Sequence, residues 1–109
     1  MNEKILGAGH LGLKRFFSLD TQAYADGALD RRTKELLGLV ASAVLRCNDC
    51  IDYHLVACVR QGLGDPELHD ALNVALVVGG SIVIPHLRHA FDTLEQLRRA
   101  EAAGALPEL

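Results

Sequence analysis

Two cysteines and a histidine near the middle of this 109-residue chain have the types and spacing of a redox site. Cys47 and Cys50 are three residues apart, so their sulfurs can close a disulfide with little backbone movement. His54 follows Cys50 by four residues, which in a helix places the imidazole beside the thiol, where it can accept the thiol proton. This pattern predicts a thiol-dependent redox centre.

The order of these residues predicts a division of roles. At about 100° per residue, Cys47, Cys50 and His54 share one face of a helix. If the helix begins at Cys47, its sulfur meets free backbone N–H groups and the positive end of the helix dipole, which favour the thiolate. We therefore interpret His54 as a general base toward Cys50, and Cys47 as the resolving thiol.

Glu35 is the candidate acid of the site. It precedes Cys47 by twelve residues, which would span roughly 18 Å of one straight helix. If the chain reverses near Cys47, two helices pack antiparallel and His54 returns to within about one turn of Glu35. A carboxylate in that place would orient the imidazole.

A zinc site is an alternative, because Cys47, Cys50, His54 and Cys58 read as C-x2-C-x3-H-x3-C. On one helix, however, Cys47 and Cys58 lie roughly 16 Å apart. All four residues cannot then reach one zinc at about 2.3 Å, and a fourth ligand would have to come from elsewhere. We predict no metal and interpret Cys58 as a small buried apolar residue. A non-catalytic zinc-binding or redox-sensing oligomer remains the alternative.

Composition narrows the classes of protein. The length fits one domain over residues 1–109, with a core at about 28–102. The net charge of −3 offers no basic surface for nucleic acid or an anionic membrane, and no run of eighteen apolar residues predicts a membrane span. The first residues show no signal-peptide pattern, and three cysteines are too few for a disulfide scaffold, so we expect a cytoplasmic protein.

Apolar residues make up 50% of the chain, more than one core of this size easily covers. We therefore expect apolar helix faces to be buried between subunits of an oligomer.

The apolar residues recur at helical spacing and predict an all-α protein of five or six helices. The expected helical regions are residues 10–24, 30–46, 48–61, 65–78 and 81–102. Asp30 is expected to cap the second region, and Asp65 is expected to cap the fourth with Pro66 at its first position. Gly79-Gly80 should break or bend the fourth helical region at its end. Pro85 should lie in the first turn of the last helix.

Glu35, Cys47, Cys50 and His54, with the segments around them, resemble the AhpD-like branch of the carboxymuconolactone decarboxylase superfamily. The segments that carry the resemblance are Thr33-Lys34-Glu35-Leu36, Leu45-Arg46-Cys47, Cys50-Ile51-Asp52-Tyr53-His54 and the glycine-rich Ala75-Leu76-Val77-Val78-Gly79-Gly80-Ser81. The resemblance covers about residues 28–100.

The resemblance implies a compact all-α bundle that assembles as a homotrimer or homohexamer. It also implies a peroxiredoxin-type oxidoreductase that reduces alkyl hydroperoxides at the expense of an unidentified dithiol, with no cofactor. Carried over to this chain, Cys50 attacks the peroxide, Cys47 resolves the product, His54 is the base and Glu35 its relay partner.

One position departs from that pattern. Some peroxidase members carry a histidine directly before the second cysteine, where this chain has Asp49. A carboxylate there disfavours the thiolate and weighs against efficient peroxidase activity. A lyase acting on a small acid is the alternative enzyme. True decarboxylases of the superfamily generally lack the CxxC, so its presence here argues against that alternative.

Two further histidines, His86 and His89, lie three residues apart on the last predicted helix. The resemblance implies that this helix borders the pocket in some relatives. From their type alone, we interpret each as a solvated or interface histidine. Asp52 and Tyr53 are candidates for the mouth of the pocket.

Overall fold

A computed structural model describes residues 2–108. Its helices are α1 (Glu3–Gly7), α2 (Leu11–Tyr24), α3 (Arg31–Val44), α4 (Asn48–Arg60), α5 (Asp65–Gly79) and α6 (Ile84–Ala102), with a 3-10 helix at Ser81–Val83. The predicted all-α class is confirmed. The short helix α1 was not predicted.

The described residues form two compact units, divided between Arg31 and Arg32. The first unit contains α1 and α2, and neither helix has a buried residue. The unit ends where α3 begins, directly after Asp30, and there the Arg31 N–H donates to Asp26 Oδ1 at 2.7 Å.

The second unit holds the apolar core, to which every helix from α3 to α6 contributes. Burying one large aliphatic side chain, such as a leucine, in this core stabilises the fold by roughly 1.5–3 kcal/mol. The largest fully buried side chains are apolar apart from one carboxylate, and they are Leu39, Ile51, Leu55, Leu63, Leu68, Leu72, Glu35, Val83 and Cys58.

The chain reverses between α3 and α4 through a compact helix-ending turn. The Cys47 N–H donates to Ser42 O at 3.1 Å and the Arg46 N–H donates to Ala43 O at 3.0 Å. These two bonds form a Schellman motif, which requires a left-handed residue at Arg46, where φ is 60°. Cys47 therefore closes α3 and also caps α4.

The start of α5 corrects one prediction. Gly64, not Asp65, is the N-cap, and its N–H donates to Glu67 Oε1 at 3.2 Å. The Asp65 carboxylate is instead paired with Arg98, whose Nε lies 2.7 Å from Oδ1. Asp65 is thus the first residue of α5 and Pro66 the second, one position later in the helix than predicted.

The turn between α5 and α6 contains a close contact that only glycine permits. A Cβ added at Gly79 would overlap Val83 Cγ2 and would come within 3.8 Å of Val44 Cα. Val83 is fully buried. The predicted helical region from residue 81 starts as a 3-10 turn, and α6 itself begins at Ile84 with Pro85 in its first turn, as predicted.

No helix among residues 2–108 combines the length and the apolar character needed to cross a membrane.

Candidate dithiol site at the start of α4

Cys47 and Cys50 are joined by a disulfide at the first turn of α4, with their Cα atoms 5.2 Å apart. Cys47 is half-buried, whereas Cys50 is exposed. The Cys50 backbone N–H donates to Cys47 Sγ at 3.2 Å, so the helix N-terminus acts on the Cys47 sulfur. Of the two sulfurs, Cys50 is thus the one open to solvent, and Cys47 is the one next to a backbone donor.

The structure brings Glu35 of α3 and His54 of α4 together. Their Oε2 and Nδ1 atoms lie 3.0 Å apart, and the side chains are only 2% and 12% exposed. Because a carboxylate accepts, His54 donates from Nδ1 and keeps Nε2 available for proton transfer. The Tyr53 ring packs edge-on against the imidazole at 5.3 Å between centroids.

Cys58 lies two turns beyond Cys50 on α4 and is completely buried. Burial, followed by the charge of Glu35, raises the pKa of its thiol to about 12. The interpretation of Cys58 as a small buried residue is confirmed. The thiol stays protonated at neutral pH, and such a group is a poor nucleophile.

The four residues of the zinc pattern are not gathered around one point. Two of them share a disulfide, and Cys58 lies in the core. Within residues 2–108, no three His, Cys, Asp or Glu side chains are grouped so that they could hold a metal ion.

The two histidines of α6 contact α4, a neighbour that their interpretation as solvated or interface histidines did not name. His86 Nδ1 lies 2.7 Å from Asn48 Oδ1, and His89 Nε2 lies 2.8 Å from Asp52 Oδ1. Both rings are half-buried against α4, so neither histidine is simply solvated. Their spacing on one helix was the signal in the sequence, but it carried no information about the helix that they face.

The residues at this site support thiol–disulfide chemistry. An exposed sulfur at Cys50 lies one helical turn from His54, and the imidazole is held by the buried carboxylate of Glu35. Such an arrangement can accept a proton from a thiol and return it to a leaving group. Asp49 is exposed in the first turn of α4.

The fold and the site together define a helical protein with a CxxC disulfide at a helix start. Residues 12–96 match the family model described as Carboxymuconolactone decarboxylase family. The chain belongs to the carboxymuconolactone decarboxylase family, which confirms the resemblance seen in its sequence.

Relatives and a solved structure extend this result. The chain is 30% identical over 82 residues to uncharacterized protein 4 in the cox locus of Paracoccus denitrificans, covering 75% of this chain and 74% of the relative. It is 36% identical over 59 residues to alkyl hydroperoxide reductase AhpD of Anaeromyxobacter sp., covering 54% of this chain but only 32% of that protein.

A family protein from Thermotoga maritima, for which a part in the antioxidative response has been suggested, has a crystal structure similar to this fold. The TM-score is 0.88 and the identity 60%, over 92% of this chain and 86% of that one.

Proposed function

We propose that this protein is a thiol-dependent, peroxiredoxin-type oxidoreductase that reduces hydroperoxides. The observation that carries the proposal is the Glu35–His54 pair beside an exposed Cys50. The pair is 3.0 Å apart and almost completely buried, while Cys50 lies one helical turn away and faces solvent. A general base that is hydrogen-bonded to a carboxylate and lies beside an accessible thiol can activate that thiol as a nucleophile.

In the first step, His54 accepts the Cys50 proton and the thiolate sulfur attacks the terminal oxygen of a hydroperoxide, ROOH. The O–O bond breaks, an S–O bond forms, and the leaving alkoxide takes a proton from His54 to become ROH. Cys50 is then oxidised to a sulfenic acid. Glu35 orients the imidazole throughout and offsets its charge while it holds the proton.

In the second step, the Cys47 thiol attacks the Cys50 sulfenic acid, and water leaves as the disulfide forms. An external dithiol then restores both thiols and is itself oxidised to a disulfide. The exposed Cys50 is the sulfur that such a reductant can reach. Cys47 is the better leaving group, because the Cys50 N–H stabilises negative charge on its sulfur.

The comparisons support a peroxide substrate. One relative is an alkyl hydroperoxide reductase, although this chain spans about a third of its length. A part in the antioxidative response has been suggested for the similar Thermotoga maritima protein. A cytoplasmic location, where reduced dithiols are abundant, is part of the proposal.

The test is peroxide consumption with dithiothreitol as the reductant. We expect Cys50→Ser to reduce the rate to the level of a protein-free sample. In Cys47→Ser, one addition of peroxide without dithiothreitol should leave a sulfenic acid on Cys50, because the resolving thiol is gone, and a dimedone-type probe should label it. Cys58→Ala is the matched control, because it removes a thiol that is buried and protonated, and it should keep most of the wild-type rate. Equal peroxide consumption by wild type and Cys50→Ser would contradict the proposal.

The same protein samples also test the alternative activity, that of a lyase acting on a small acid. Incubation with a carboxylated lactone would detect a decarboxylase. Lactone turnover that survives Cys50→Ser, together with no peroxide consumption, would assign the chain to the lyases of its family.

A further inference from the structure

Helix α6 runs in the same direction as α4 and is tied to it by side chains next to the disulfide. Asn48 and Asp52, one turn apart on α4, meet His86 and His89, one turn apart on α6. Asp52 Oδ1 also accepts from Thr93 Oγ1 at 2.7 Å. The first two turns of α4, which carry the cysteines, are thus fixed from the α6 side.

We propose that His86 is a positioning residue of the dithiol pair, acting through Asn48 to hold Cys47 and Cys50 in the conformation that closes the disulfide. The proposal deepens the proposed function, since the reaction that it serves is the thiol redox cycle of the same two cysteines. His86 would make no contact with the peroxide, so its action is on the geometry of the pair.

The contact itself has a defined direction. Asn48 Oδ1 is a carbonyl oxygen and can only accept, so His86 donates from Nδ1 over 2.7 Å. Asn48 is the first residue of α4 and lies between the two cysteines, covalently bonded to Cys47. Holding its side chain therefore restricts the backbone of the turn that joins the two sulfurs.

The donor is held in place by the turn that precedes it. His86 lies in the first turn of α6, directly after the 3-10 helix that ends at the fully buried Val83. Gly79 allows that segment to pack beside Val44, at the end of α3 and three residues before Cys47. The glycine-rich turn thereby anchors α6 next to the CxxC.

A restraint on this turn has a chemical consequence. Once the disulfide is reduced, only the backbone of Asn48 and Asp49 links Cys47 to Cys50. The effective concentration of one thiol at the other then depends on how firmly this turn is held. A firmly held turn favours the closed disulfide and speeds the attack of Cys47 on an oxidised Cys50. Loss of the His86 contact should weaken both.

The experiment measures the equilibrium of the Cys47–Cys50 disulfide with reduced and oxidised glutathione, by alkylation and mass spectrometry on the whole chain. We expect His86→Ala to lower the equilibrium constant for disulfide formation by about three- to tenfold, the size expected for one hydrogen bond. A tenfold change corresponds to about 30 mV in the reduction potential. Asn48→Ala should have the same effect, and the double variant should show no further loss.

Two variants separate positioning from other roles. His86→Asn keeps a neutral N–H donor at the position of Nδ1 and should restore the equilibrium constant to within about twofold of wild type. His69→Ala is the matched control, because His69 is an exposed histidine on α5 whose ring packs on Phe91, and it should leave the constant unchanged.

Several results would overturn the inference. They are a wild-type constant in folded His86→Ala, a His86→Asn variant as impaired as His86→Ala, or effects of His86→Ala and Asn48→Ala that add fully. If His86→Ala does not fold, Asn48→Ala and His86→Asn still decide, because Asn48 is exposed. If the protein does not turn over peroxide but His86→Ala still changes its disulfide equilibrium, the proposed function is wrong and this inference holds.

Discussion

At the scale of single residues, the buried carboxylate of Glu35 is the feature that most constrains the site. A carboxylate that is 2% exposed is costly unless it is paired and hydrogen-bonded. The His54 imidazole provides that pairing and is itself fixed in orientation by it. The two residues are therefore expected to act as one unit.

We expect Glu35→Gln and His54→Ala each to slow the oxidation of Cys50 by peroxide, with effects that do not add. His54→Ala should cost about 10²–10⁴-fold, as expected for loss of a general base, and Glu35→Gln should cost less because it preserves the shape. The double variant should resemble His54→Ala, since Glu35 acts only through the ring. Pre-steady-state rates in a double-mutant cycle measure this, and cleanly multiplying effects would show that the residues work independently.

The burial of Cys58 makes the free energy of unfolding depend on pH. The pKa of its thiol rises from an ordinary value of 9.0 to about 12 in the fold, because of burial and then the charge of Glu35. Above about pH 9 the unfolded thiol ionises while the native thiol stays protonated, so stability from this residue is present below that pH and is lost progressively up to about pH 12.

The wild type should accordingly lose its advantage over Cys58→Ala as the pH rises. We expect the difference in the free energy of unfolding to shrink by at most about 1.4 kcal/mol per pH unit above pH 9. Urea unfolding of both proteins from pH 8 to 10.5 measures it, and comparison with Cys58→Ala cancels the titration of other groups. A difference that is constant over this range would contradict the assigned burial of the thiol.

At the scale of elements, the turn between α3 and α4 does most to create the site. It joins α3 to α4 through the three residues Leu45, Arg46 and Cys47, and His54 of α4 meets Glu35 of α3 beyond it. Its left-handed position is occupied by Arg46, where most helix-ending turns of this kind carry glycine. The residue next to the reactive pair thus adopts a conformation that an L-amino acid adopts only at a cost.

We expect Arg46→Gly to be more stable than Arg46→Ala by about 1 kcal/mol, since both remove the side chain and only glycine adopts φ of 60° freely. Denaturant unfolding of the two variants measures the difference. An alanine variant as stable as the glycine variant would argue against a left-handed conformation at this position.

At the scale of the whole molecule, a large amount of apolar side chain faces outward. Within the second unit, Leu45, Val77 and Val78 are 75%, 77% and 68% exposed. In the first unit, Phe16 and Leu19 are exposed to a similar degree. Exposure on this scale is typical of surfaces that are covered by other subunits, and we propose a homotrimer or homohexamer on this basis and on the family resemblance.

Light scattering at micromolar concentration should accordingly give three or six times the chain mass of 11.8 kDa. Val77→Lys places a charge on the exposed apolar surface of α5 and should reduce that mass, because a buried unpaired charge opposes association. Gln96→Lys, an exposed polar position on α6, is the control and should leave the mass unchanged. A monomeric wild-type protein would contradict the expected assembly.

The features that depend on neighbours along the chain could be predicted from the sequence. Helical spacing of apolar residues predicted the all-α class, and the positions of Cys47, Cys50 and His54 within one helix predicted their shared face. Glu35 was a candidate acid from its position twelve residues before Cys47, but it required a chain reversal before it could reach His54. Only the tertiary structure decided that the two meet at 3.0 Å and that His86 contacts Asn48. Contacts between residues 19 and 38 positions apart depend on how whole helices pack, and local propensity and periodicity do not encode that choice.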